Sequence, residues 1–118
     1  MSGVYDDDRT VRADLLLRRG SSIRRVIITE VQTEQNGPFA SLDMSGWTGR
    51  FLLAGPDGTQ WWSTPLTMTA DGYAIVDIPS TAFSADIWAG RRSGIWHMEA
   101  TAPDGHVERL GEGYWHLG

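Results

Sequence analysis

The chain contains no cysteine and no lysine. Without cysteine there is no disulfide, no thiolate nucleophile and no cysteine-ligated zinc. Without lysine, all ten basic residues are arginine. That bias fits the codon usage of a GC-rich genome, and guanidinium forks also serve interfaces better than ammonium groups do. No apolar run approaches the roughly 18 residues of a membrane-spanning helix. The opening Met-Ser-Gly-Val-Tyr-Asp-Asp-Asp is acidic, unlike a signal peptide, so the expectation is a protein made and kept in the cytosol, or exported by a route that needs no signal peptide. Nucleophile-elbow, His-Glu-x-x-His, phosphate-loop and dinucleotide motifs are all missing. No catalytic residue, cofactor or metal ligand is therefore expected, and the chain reads as a non-enzyme. A net charge of −5 argues against general nucleic-acid binding. Neither nucleic acid nor membrane is expected as a partner.

What is abundant is tryptophan and glycine, six and fourteen in 118 residues. Large flat side chains with many turn-formers suit a small all-β domain. The segment from Gly94 to Gly118 shows the pattern most plainly. Gly-Ile-Trp-His-Met-Glu-Ala-Thr alternates apolar and polar, Ala-Pro-Asp-Gly turns, and His-Val-Glu-Arg-Leu returns. Pro presets φ, Asp bonds its own backbone and Gly accepts positive φ. A three-residue loop closing on a glycine bulge sets Ala102 against His106, Glu99 against Arg109 and Met98 against Leu110. Trp96, Met98 and Leu110 then share a buried face, with a Glu99–Arg109 ion pair on the other.

The same turn recurs at Gly55-Pro-Asp-Gly58, where the count pairs Leu53 with Trp61 and Leu52 with Trp62. Adjacent strand residues face opposite ways, so one of Trp61 and Trp62 can be core and the other exposed, unless both are covered inside the fold or its oligomer. Asp71-Gly72 is a third turn signal, leading into the strand Tyr73 to Ile78. Ile23 to Val31 is rich in β-branched residues and reads as strand. Gln32 to Ser41, with its Asn-Gly-Pro break, reads as loop, and Leu42 to Gly46 as a short corner. Pro79 to Trp88 resembles a helix start, enough for one or two turns.

Together these give an all-β fold. We expect an antiparallel β-sandwich of about seven or eight strands with one short helical turn near residues 80–88. Residues 1–13 are expected to form an extended arm, and 14–118 a single domain. Asp6-Asp7-Asp8 reads as a solvated or partner-bound tail rather than a calcium site, because no spaced second set of oxygen ligands is nearby. The six arginines between Arg9 and Arg25 lack interleaved aromatics and read as a strand face or an oligomer contact. His97, His106 and His116 read as polar strand residues. Asp57, Asp71 and Asp104 are explained by their turns.

The order of these features resembles a known pattern. Asp14 to Gly20 gives an Asp-hydrophobic-Arg-Gly opening, and Leu42 to Thr48 reads Leu-Asp-Met-Ser-Gly-Trp-Thr. An Asp-Gly hairpin, an Ile-Val-Asp-Ile-Pro strand and a Thr-Ala-Phe segment follow. Gly-Ile-Trp-His-Met-Glu, Pro-Asp-Gly and Arg-Leu-x-x-Gly close it at Gly113. This resembles the small immunoglobulin-like β-sandwich domain of tailed-bacteriophage virion proteins, including minor tail proteins and the N-terminal domain of baseplate upper proteins. The acidic N-terminal arm departs from that pattern. The resemblance implies a structural virion protein, a tail-tip or baseplate adaptor or else a capsid decoration protein. It would be made in the host cytoplasm, incorporated in the virion, and oligomeric through virion symmetry. Other phage structural proteins, tail or capsid subunits, would be its partners. Contacts to them are expected at Tyr5, Arg9, Arg12, Arg18, Arg19, Trp62, Arg91 and Arg92. A carbohydrate-binding module using Trp47, Trp61 or Trp62 as a platform is the alternative from another class.

Overall fold

A computed structural model describes residues 10–28, 30–32, 39–41 and 43–118. In chain order the strands are β1 (Val11–Arg12), β2 (Leu15–Leu17), β3 (Ile23–Ile28), β4 (Glu30–Gln32), β5 (Phe39–Ser41), β6 (Thr48–Ala54), β7 (Gln60–Pro65), β8 (Thr67–Met68), β9 (Tyr73–Ile78), β10 (Ser93–Thr101) and β11 (Val107–Leu117). A short 3-10 helix covers Asp86–Gly90. The fold is all-β and sandwich-like. One sheet has the order β1-β11-β10-β6-β7, with β2 also on β11; the other is β3-β9-β8. β4 and β5 form a separate ribbon, so Gln32 and Phe39–Ser41 are strand where a loop was expected, and the rest of that loop lies outside the described residues. Among the described residues no helix is long and apolar enough to cross a membrane.

Two departures from simple antiparallel pairing matter. First, β1 and β2 run parallel to β11, pairing Val11 with Gly111 and Leu15 with Trp115. They are one edge strand broken at residues 13–14. Pairing thus starts at Val11, inside the segment expected to be an arm; residues 1–9 lie outside the described residues.

Second, both long hairpins carry a bulge. The two Pro-Asp-Gly turns close as the sequence predicts. Ala102 N–H donates to His106 O at 2.7 Å and Gly55 N–H to Thr59 O at 2.9 Å, with φ of +93° at Gly105 and +89° at Gly58. Glu99 faces Arg109 as counted, but the register then slips, and Met98 faces Gly111 instead of Leu110. Leu110 is the extra residue. It still turns inward, so Trp96, Met98 and Leu110 are all buried. In the other hairpin Trp61 is the extra residue, and Leu53 faces Trp62 rather than Trp61. A bulge interrupts the two-residue alternation. Trp61 and Trp62 therefore both pack on the core, the covered one of the two arrangements that the sequence leaves open.

The interior is an aromatic chain. Trp96 stacks on Phe51 at 6.0 Å, and Phe51 meets Trp62 edge-on. Trp62 meets Phe83, which touches Trp88 at 4.8 Å, and Trp88 and Trp61 both meet Trp115. Edge-to-face pairs at these spacings add about 0.5–1.5 kcal/mol each beyond area burial. Trp88 reaches this chain from the 3-10 helix, which is why the segment after Pro79 must coil.

Two indole N–H groups need acceptors in this dry core, and both find one by the same device. The sequence Gly-x-Trp occurs twice, at 94–96 and 113–115, and the slipped register sets Gly94 against Trp115 and Trp96 against Gly113. Trp115 sends its Nε1–H past Gly94 on β10 to Ala54 O on β6, at 2.9 Å. Trp96 sends its own past Gly113 on β11 to Ala13 O on the edge strand, also at 2.9 Å. A Cβ at Gly94 would collide with the Ala54 carbonyl, and one at Gly113 with the Ala13 carbonyl. Glycine is needed at both positions so that a ring can pass.

Gly94→Ala is therefore expected to cost about 3 kcal/mol or more, or to prevent folding, since it displaces a buried hydrogen bond and overpacks the core. Gly90→Ala, where a Cβ meets open space, should stay within about 0.5 kcal/mol of the parent. Urea unfolding followed by tryptophan fluorescence compares the two.

Candidate functional site

The reciprocal Gly-x-Trp pairs fix what the ribbon shows on its outer side. Ile95 and Tyr114 are the middle residues of the two triplets. They are cross-strand partners, and both face away from the core. Tyr114 is 63% exposed and Ile95 half-buried. One row further along, His97 pairs with Glu112, and Glu112 with Arg12 of the edge strand. Between this ribbon and the break at Ala13 and Asp14 lies an open groove of about 650 Å³, lined by Arg12, Asp14, Ile95, His97, Arg109, Glu112 and Tyr114, with Trp96 and Gly113 at its base.

In the groove the charges of Arg12, Arg109 and Glu112 are mutually engaged. Arg109 bridges Glu99 (Nη2–Oε1, 3.3 Å) and Glu112 (Nη1–Oε1, 3.1 Å), and Arg12 Nε lies 3.4 Å from Glu112 Oε2. These side chains are 37–57% exposed, so each pair contributes only about 0–1 kcal/mol. The network's main effect is to hold the side chains in place. His97 Nε2 lies 3.4 Å from Glu99 Oε1. Burial pushes the His97 pKa below the ordinary 6.5, with help from the Arg109 charge; Glu99 and Glu112 pull the other way and do not prevail. The imidazole is neutral at pH 7, and its contact with Glu99 is not an ion pair. His116 lies 4.0 Å from Asp14, and His106 3.1 Å from Glu108. Among the described residues no group of three His, Asp or Glu could hold a metal ion.

The residues expected to contact partners fall in different places. Tyr5 and Arg9 lie outside the described residues. Arg12 lines the groove. Arg18 and Arg92 are exposed. Arg19 donates from Nη1 to Trp88 O at 2.8 Å and from Nη2 to Arg91 O at 3.0 Å, fastening the end of the 3-10 helix. The Arg91 guanidinium lies over the rings of Trp61 at 4.5 Å and Trp88 at 4.9 Å. Trp62 is half-buried against Phe51 and Phe83. The structure thus gathers Arg19 and Arg91 into a clamp on the core tryptophans, far along the chain from each other. Trp47, Trp61 and Trp62, the alternative sugar platform, all pack on the core.

The groove residues Tyr114, Asp14, Ile95 and Glu112 were not singled out by the sequence. The usable signal was Tyr114 between Gly113 and Trp115: in an alternating strand it must face opposite to Trp115. The arrangement offers an exposed aromatic ring, neutralised charges and one neutral imidazole, which is recognition chemistry. No protein-family model matches this chain, and no curated protein matches it.

Two measurements check the site's electrostatics and the clamp. A folded-state pKa below the unfolded value means the unfolded chain takes up the proton first. The His97 contribution is therefore complete above about pH 6.5 and is lost as pH falls from there through the folded-state value. His97→Gln should flatten that part of the stability–pH curve, measured by urea titration at stepped pH. Arg19→Lys replaces a fork reaching two carbonyls with a single ammonium. It should lower stability by about 1–2 kcal/mol, read as a lower urea midpoint.

Proposed function

We propose that the chain is a non-enzymatic structural subunit of a tailed-bacteriophage virion, an adaptor of the tail tip or baseplate that works through protein–protein contacts. The observation that carries this reading is the order of features resembling virion sandwich domains, together with the architecture that bears it. A six-stranded sheet, in which β1 and β2 pair in parallel with the last strand, accompanies a β3-β9-β8 sheet, and this sandwich-like architecture supports the immunoglobulin-like reading. The resemblance-bearing segments have structural tasks. Asp14 to Gly20 forms the edge strand and delivers Arg19 to its clamp. Asp43 to Trp47 makes a corner in which Ser45 N–H donates to Asp43 Oδ1 at 2.9 Å. Gly94 to Trp96 supplies half of the reciprocal tryptophan device.

In this reading the subunit repeats by virion symmetry, sits in the particle, and meets other tail subunits through its faces and its N-terminal residues. Capsid decoration is the close variant, with the same sandwich capping the shell. Quantitative mass spectrometry of purified particles separates the two. The tail reading expects copies per virion on the order of tens or fewer, and the capsid reading on the order of hundreds, as shell symmetry requires. A chain that remains monomeric and is never found in particles overturns both.

A further inference from the structure

We propose that the groove between the Ala13–Asp14 break and the β10–β11 ribbon binds a neutral saccharide, stacked on Tyr114 and hydrogen-bonded by Asp14, His97 and Glu112. The chemistry of the lining selects this class. An anion needs a cation with charge to spare, but Arg109 is spent on Glu99 and Glu112, and Arg12 lies against Glu112 as well. A cation meets the opposite obstacle, because Glu112 is held between two guanidinium groups and Asp14, 63% exposed, is a single surface carboxylate that holds a cation only weakly. An apolar ligand would strip water from five ionisable side chains for the sake of Ile95 and one phenol ring. A sugar matches what remains. Its C–H face stacks on an aromatic ring, and its hydroxyls both donate and accept. The carboxylates accept from such hydroxyls, and a neutral imidazole donates from one ring nitrogen and accepts at the other.

The groove's form agrees. Its volume, about 650 Å³, lies within the range of small-molecule sites, roughly 300–1,000 Å³. His97, Arg109 and Glu112 stand on the sheet, and Arg109 holds Glu112, so little ordering of these groups is needed when a ligand arrives. Tyr114 takes part in none of the core ring contacts and stands 63% exposed, next to its cross-strand partner Ile95. The break in the edge strand at Ala13 and Asp14 borders the space beside it.

Binding is a property of the isolated chain, so its failure leaves the virion reading standing, and the reverse also holds. The protein is titrated with maltotriose, cellotriose, chitotriose and galactotriose up to about 10 mM, which detects affinities near the millimolar range. Amide chemical shifts are the readout. In a second arm the protein is pelleted with protein-free bacterial cell-wall sacculi. We expect at least one soluble sugar to give saturable shifts centred on Asp14, Ile95 and Tyr114, or the sacculi to carry the protein down. The first result identifies a short saccharide as sufficient, and the second alone a polymeric glycan. Tyr114→Ala should weaken either by about tenfold, with an unchanged urea midpoint, while Tyr114→Phe retains it. Silence from all four sugars and the sacculi overturns the proposal. So does binding that Tyr114→Ala leaves intact. So does a Tyr114→Ala variant that halves the sedimenting mass without any sugar response, because the face is then a subunit contact.

Discussion

Two indole N–H groups, in a core that among the described residues buries no polar or charged residue, set the terms for the larger sheet. Each must find a carbonyl, and the backbone carbonyls nearby are mostly engaged in the strand ladder. The solution is reach. Trp115 crosses under β10 to Ala54 of β6, and Trp96 crosses under β11 to Ala13 at the edge. Between them the two rings fasten the edge strand, β11, β10 and β6 to one another from beneath. The interaction does more than satisfy donors, because it demands glycine at both crossing points and so fixes the register of the hairpin. A slip of one residue would set each tryptophan against a side chain.

That register also decides the outer surface. With Gly94 and Gly113 opposite the tryptophans, Ile95 and Tyr114 must be neighbours pointing outward, and His97, Glu112 and Arg12 fall into line in the next row. The break in the edge strand has the same origin. Ala13 is drawn over Gly113 to accept the Trp96 bond, and the strand pairs again only at Leu15. The groove is thus the outer consequence of an inner hydrogen bond. This gives a physical reason why an exposed tyrosine, a half-buried histidine and a bridged glutamate are held at fixed positions on an otherwise ordinary sheet face.

Much of this was legible in the chain. Turn chemistry is local, so Pro-Asp-Gly at 56–58 and 103–105 and Asp-Gly at 71–72 announced three turns, and all three carry glycine at positive φ. Alternation from Ile95 to Thr101 gave the buried face. What local reasoning missed was two single-residue bulges, at Trp61 and Leu110. An alternation count assumes that no residue is surplus, and a surplus residue is tolerated when the core gains by it. The bulge at Trp61 lets two adjacent indoles reach the interior. The bulge at Leu110 converts a Trp96–Glu112 pairing into Trp96–Gly113, and with it the meaning of both Gly-x-Trp triplets. The clamp of Arg19 was out of reach for another reason. Its acceptors lie about seventy positions away, on a segment whose place is set only when Trp88 docks.

The same geometry bears on how such a domain meets other chains. An open sheet invites strand addition at its edges, and the edges of this sandwich are obstructed among the described residues. β3 carries Arg25 at an inward register position opposite the buried Val76, and its guanidinium turns back to bond Arg24 O at 3.0 Å. A charge at an inward position is a known guard against edge pairing. β7 is bent by its bulge and ends at Pro65, β8 has two residues, and β1 and β2 interrupt each other. With strand addition disfavoured, association is left to faces and turns. There the three-stranded sheet offers the exposed Val26 and Tyr73. Blocked edges prevent indefinite sheet growth without closing the faces.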